Sequence, residues 1–250
     1  MLDFAKYKRF FAFGCSMTSY GWPTWADIIA QEIPEYHNYA QSGGGNLFIS
    51  CQVTEADLKH NFTDGDLIMI MWSSVAREDR HVKGNWLTPG NIYTQGFYDD
   101  KFVTDFADEV GYLLRDINLI TLIKQYLQTK SCDYYMLNMS PFTITSTDNI
   151  SQMKYRMICA TYKSTFDSIL PDLLTLGMNG KWPQHPITKK GHQSADYHPS
   201  PIQHFGYLQK LFPKTVWSNH TMQFLEHEQE IMEAIVEFDD MLFRVNNNRI

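Results

Sequence analysis

A serine at a strand-to-helix turn and a histidine just after an aspartate are the residues of this chain best suited to chemistry. Ser16 lies in Arg9 to Ile29, RFFAFGCSMTSYGWPTWADII. There Arg9-Phe10-Phe11-Ala12-Phe13 predicts a buried strand, Gly14 stops it, and Trp25, Ile28 and Ile29 begin a helical period. Ligands bind at the carboxyl ends of strands in an open α/β sheet, so a hydroxyl just past Gly14 stands at the mouth of the crevice. The plainer alternative is a serine that only hydrogen-bonds its own turn. Asp196-Tyr197-His198-Pro199 opens a late helix. A serine hydroxyl becomes a useful nucleophile when a neighbouring base takes its proton. Imidazole, with an ordinary pKa of ~6.5, can take and return that proton near neutrality. Residues of these types support acyl transfer through a covalent intermediate.

Other residues offer rival chemistry. Cys15 adjoins Ser16, but a reactive thiol needs an exposed, electropositive setting that the sequence does not show. His185, His192, His198 and His204 suggest zinc by number. They lack compact helix spacing or a cysteine partner, and no metal or other cofactor is expected. Gly43-Gly44-Gly45 predicts a loop that another backbone or a ligand approaches closely. A mononucleotide reading of that loop finds no Walker lysine and no spaced dinucleotide fingerprint.

The 250 residues carry 28 Asp+Glu against 21 Lys+Arg, a net charge of −7, with no long basic cluster, which argues against a nucleic-acid partner. Cys15, Cys51, Cys132 and Cys159 are scattered and form no CxxC, as expected of reduced thiols in a cytoplasmic protein. No apolar run approaches the ~20 residues of a membrane span, and charges interrupt the first residues where a leader would be apolar.

Positioning these residues requires a sheet. Strands are predicted at Arg9 to Phe13, at Tyr36 to Gln41, at Leu67 to Trp72, and at Tyr134 to Met139, with helical spacing between them. The βαβ alternation predicts an α/β fold, a three-layer α/β/α sandwich whose mainly parallel, flavodoxin-like sheet has about five strands, in one domain over 1–250. The segment 81–100, rich in Gly, Pro and aromatics, is expected as an ordered loop serving as lid or specificity segment. One long helix is expected from Val103 to Thr129. A helical region follows from Asn149 to Leu170, with Met153, Met157, Ile158 and Tyr162 facing inward. Ser200-Pro201 signals a further helix start, and a last helix is placed at about 221–243, before a mobile tail at 246–250.

The ordered set resembles the SGNH (GDSL-type) hydrolase superfamily, and in particular a divergent branch common in bacteriophage genomes. Gly14-Cys15-Ser16 matches the Gly-Asp-Ser nucleophile turn, with Cys15 in place of Asp. Asn38-Tyr39-Ala40-Gln41-Ser42-Gly43 matches the second block, and Asp196-Tyr197-His198-Pro199 matches the late Asp/His block. The resemblance spans Phe10 to about Leu211. It implies Ser16 as nucleophile, His198 as base, Asp196 as the acid that orients it, and an oxyanion hole formed by Ser16, Gly43 and Ser74. Two departures stand out. Ser74 occupies the place of the third block's Asn, and the spacing is Asp-x-His rather than Asp-x-x-His, which leaves open a dyad of His198 with a backbone carbonyl. His198 as a helix cap is a further alternative. Asn46, Arg77, Trp86 and Tyr93 are expected near substrate, with Arg77 or Asn85 able to supplement Ser74. The implied function is hydrolysis of a small acyl ester, O-deacetylation of a glycan foremost, in a protein that binds neither nucleic acid nor membrane. The alternative is a carbohydrate-binding or virion-associated protein on the same scaffold.

Overall fold

The computed structural model describes residues 1–94 and 96–241. Its strands and helices run β1 (Arg9–Phe13), α1 (Trp25–Ala30), β2 (Glu35–Asn38), α2 (Asn46–His60), β3 (Asp66–Trp72), β4 (Arg80–Val82), β5 (Asn85–Leu87), α3 (Asp100–Phe106) and α4 (Glu109–Gln128). They continue with β6 (Asp133–Asn138), α5 (Asn149–Thr161), α6 (Lys163–Phe166), β7 (His185–Lys189), β8 (His192–Asp196), α7 (Pro201–Leu211) and α8 (Asn219–Ala234).

The central sheet has four strands in the order β2-β1-β3-β6, all parallel, where about five were expected. Successive side chains of a strand face opposite ways. Phe10, Ala12, Leu67, Met69 and Met71 therefore enter one core with α1 and α7, while Phe11, Phe13, Ile68, Ile70 and Trp72 enter the other with α2 and α4. Both faces are covered, which is why β1 and β3 read as unbroken apolar runs. The chain leaves β1 for β2 on one side and returns to β3 on the other. The crevice at this change of direction lies beyond the carboxyl ends of β1 and β3, where Ser16 and Ser73-Ser74 are found.

Several expectations are corrected. The first part of the segment 81–100, expected as an ordered loop, is a hairpin: β4 and β5 pair and turn at Lys83 and Gly84, both at positive φ, while no strand or helix occupies the described residues from 88 to 99. Short polar strands with exposed faces leave no hydrophobic period to detect. The helix expected from Val103 to Thr129 is two helices, because Asp108 takes extended backbone and caps α4 through the Val110 amide. Met153 and Met157 are more than half exposed on α5, whereas Ile158 is buried. A second hairpin, β7-β8, delivers Asp196 to the site from a stretch without periodicity. Ser200 is the N-cap of α7, in a capping box with Gln203 and with Pro201 in the first turn, so His198 is not the cap. The expected end of the last helix at Phe243 and the tail at 246–250 lie outside the described residues.

Candidate active site

The turn after β1 is tight because Gly14 has no side chain. A Cβ there would lie 2.1 Å from Thr18 Oγ1 and 3.2 Å from the Met71 carbonyl. The amides of Thr18 and Ser19 both close on the Cys15 carbonyl, and Ser16 is left at the rim of the crevice, 9% exposed. Its Oγ lies 2.9 Å from His198 Nε2. On the other side of the ring, His198 Nδ1 lies 3.0 Å from Asp196 Oδ1, and the same oxygen accepts the His198 backbone N–H at 2.8 Å. Nδ1–H donating to the carboxylate leaves Nε2 as the acceptor for the serine proton. The short Asp-x-His spacing therefore still brings carboxylate and imidazole together, with the aspartate holding backbone and ring through one oxygen. Burial works to raise the Asp196 carboxyl, but the hydrogen bond and charge of His198, helped by Tyr20, outweigh it and hold the group below its ordinary value.

Tyr20 went unnoticed in the sequence. Its hydroxyl donates to Asp196 Oδ2, and its ring lies over the His198 imidazole with centroids 3.6 Å apart and planes 20° apart. An aromatic in a turn four residues from Ser16 was the only signal available. His204, in α7, is buried and pushed down to about 3 by burial and then by the charge of His198. Cys15 is fully buried against Met139. Among the described residues, no three His, Cys, Asp or Glu side chains converge as a metal cluster.

The glycine loop lies against the first hairpin. Gly43 has φ +77°, and a Cβ on it would lie 2.1 Å from the Thr88 carbonyl oxygen. Gln41 Nε2 donates to Thr88 Oγ1 at 2.9 Å, and Thr88 Oγ1 donates to the Ser42 carbonyl at 2.9 Å. The Gly44 amide donates to Gln41 O and the Gly45 amide to Asp79 Oδ1. Among the described residues, the amides of Gly43 and Ser16 have no protein acceptor.

The four expected substrate contacts fare differently. Asn46 is wholly buried. Its Nδ2 donates to Asp116 Oδ2 at 2.9 Å and to Ser73 O at 3.1 Å, and its Oδ1 accepts from Ser73 N at 2.8 Å, so it braces the core and cannot meet substrate. Arg77 is also buried and committed. It donates to Gly44 O at 3.0 Å and through Nε to Ser74 Oγ at 3.4 Å, linking the glycine loop to the end of β3 rather than presenting a free cation. Trp86 packs edge-on against Phe48 and His81. Tyr93 borders an open cleft with Glu109 and Ser146 that none of Ser16, Asp196 and His198 lines. Asn85 is exposed in the hairpin and donates to Lys83 O.

No protein-family model matches the chain, and no curated protein matches it. Among solved structures, protein YxiM from Bacillus subtilis matches with 14% identity and a TM-score of 0.34, over 89% of this chain and 57% of that one. The chain thus spans little more than half the length of that structure. A likeness this slight transfers no residue role. Among the described residues, no helix is long and apolar enough to cross a membrane.

Proposed function

We propose that the protein is a serine ester hydrolase of the SGNH type, acting on a small acyl ester by way of an acyl-Ser16 intermediate. The observation that carries this reading is the continuous chain from Ser16 Oγ through His198 to Asp196 Oδ1, at 2.9 and 3.0 Å. Ser16 Oγ attacks the ester carbonyl as His198 Nε2 takes its proton. The carboxylate of Asp196 stabilises the imidazolium, which then protonates the departing alkoxide oxygen. Water, deprotonated by the same nitrogen, attacks the acyl carbonyl; the acyl–Oγ bond breaks, the acid leaves, and the imidazolium returns its proton to Ser16 Oγ. The partnerless amides of Ser16 and Gly43, with the Ser74 hydroxyl, are the donors this scheme assigns to the oxyanion.

The substrate class we favour is an O-acetylated carbohydrate. That preference rests on the resemblance: the groove of about 700 Å³ between Arg80, Phe102, Phe106 and Tyr112 lies apart, since none of Ser16, Asp196 and His198 lines it. A non-catalytic glycan-binding protein on the same scaffold draws on one specific feature: Ser74, whose hydroxyl is shorter and rotates freely, stands in place of the family's Asn.

Intact-mass measurement after treatment with a fluorophosphonate probe tests the reading. One adduct on the wild type, absent from Ser16→Ala and His198→Ala, is the expected result. A folded wild type that takes no adduct would favour the binding protein.

A further inference from the structure

Tyr20 touches both halves of the base, and the ordinary serine–histidine–aspartate scheme gives it no part. Its place is fixed from behind. The Trp22 ring meets it edge-on at 4.8 Å and 81°, and Trp22 Nε1–H donates to the Pro199 carbonyl at 2.8 Å, next to His198. The carboxylate needs such a neighbour. Asp196 Oδ1 already receives both the backbone and the ring N–H of His198, so without a partner Oδ2 would leave the carboxylate free to turn.

We propose that Tyr20 is a positioning residue for the base: its hydroxyl anchors Asp196 through Oδ2, and its ring face supports the imidazolium that forms when His198 takes the Ser16 proton. This rests on the reading of Ser16 and His198 as nucleophile and base. A π face over a cation is attractive, so the stack gains strength as positive charge develops on the ring. The phenolic proton stays on Tyr20 throughout, and only the Ser16 proton moves. Burial, and then the charge of Asp196, keep the phenol well above its usual range and hence a donor. Among the described residues, Glu233 on α8 lines a cavity with Asp196 and Trp22, and the nearby histidines are His185 on β7 and His204 on α7. Burial pushes both histidines down, so they are neutral at neutral pH and do not compete for the carboxylate.

Two variants separate the two contributions. Tyr20→Phe keeps the ring and loses the hydroxyl; Tyr20→Leu loses both. The readouts are the rate of fluorophosphonate labelling of Ser16 against pH, and the far-downfield proton signal of a carboxylate-bound imidazole Nδ1–H, with thermal melting to confirm folding. Labelling of Tyr20→Phe is expected to slow by about 10-fold. Its acid limb moves to higher pH, because a carboxylate without the phenolic donor holds the imidazolium more tightly. For Tyr20→Leu a loss of about 100-fold is expected, with the limb returning toward lower pH as the ring face is removed. Wild-type rate and profile in folded Tyr20→Phe would overturn the proposal, as would a Tyr20→Leu no slower than Tyr20→Phe. If the wild type takes no label, the hydrolase reading fails and the proton signal decides: displacement in Tyr20→Phe supports the anchoring of Asp196, and an unmoved signal overturns it.

Discussion

Two buried aspartates, Asp196 at the end of β8 and Asp116 in α4, sit in polar networks with opposite outcomes. Asp196 holds a histidine whose other nitrogen reaches Ser16 at the rim of the crevice. Asp116 holds Asn46 and Arg115, whose other donors go to the carbonyls of Ser73 and Arg77 and to the Glu78 carboxylate. The charges differ as well. Burial pushes Asp116 up to about 6, even against the charge of Arg115 and the hydrogen bonds of Asn46 and Arg115. Asp196 is also buried, yet ends below its ordinary value because the hydrogen bond and charge of His198 outweigh that burial. A buried carboxylate is therefore not itself a sign of chemistry. What distinguishes the site is that Asp196 acts on a titratable ring with one nitrogen left for an outside proton, whereas the Asp116 network ends on backbone carbonyls and on Glu78, which pairs with Arg115 and Arg80.

The strongest way to break this contrast is at the open end. On an acetyl ester, Ser16→Ala and His198→Ala should each lose turnover by on the order of 10⁴-fold or more, with an unchanged melting temperature. Residual activity within 10-fold of wild type would remove the distinction. Next in size comes the closed network. Asn46→Ala strands Asp116 and the Ser73 amide and should cost roughly 3 kcal/mol, lowering the melting temperature by about 5–10 °C. A melting temperature within a degree of wild type would show that the network carries little load.

A smaller effect is expected at Asp79, whose two carboxylate oxygens take the Gly45 and Phe48 amides at 2.8 and 3.0 Å. Gly45, the N-cap of α2, has no side chain of its own to do this. Asp79→Ala should cost about 1–2 kcal/mol, measured by denaturant unfolding, since it leaves two helix-start donors without an acceptor.

The smallest effect separates the aspartates by sign. Asp116 titrates higher in the fold than unfolded, so its contribution is complete below the unfolded value of ~3.9 and is lost as pH rises through about 6. Between pH 5 and 7 the wild type should lose on the order of 1 kcal/mol of stability relative to Asp116→Asn. Asp196 runs the other way: its contribution is present above ~3.9 and is lost as pH falls through its lower native value. A common slope for Asp116→Asn and Asp196→Asn in paired unfolding titrations would refute the contrast.

The sequence alone determined the elements whose signal is local. β1 and β3 are continuous apolar runs because both faces of a parallel strand are buried, and Ser200-Pro201 marks the start of α7 because capping chemistry acts within a single turn. Ser16 stands beside such a landmark, whereas Asp196 and His198 are singled out by the family resemblance of their block. Only the tertiary structure decided which polar residues reach the crevice and which face the core. Asn46 and Arg77 read as site residues by position, but their partners Asp116, Ser73 and Gly44 come from other segments, so nothing near them in the chain foretold their burial. Tyr20 is the converse. It lies close to Ser16 in the chain, but its partner Asp196 arrives from the far end on a hairpin without hydrophobic period. Periodicity and capping are written within a few residues of the chain, whereas a hydrogen bond between distant segments exists only once the sheet has brought their ends together.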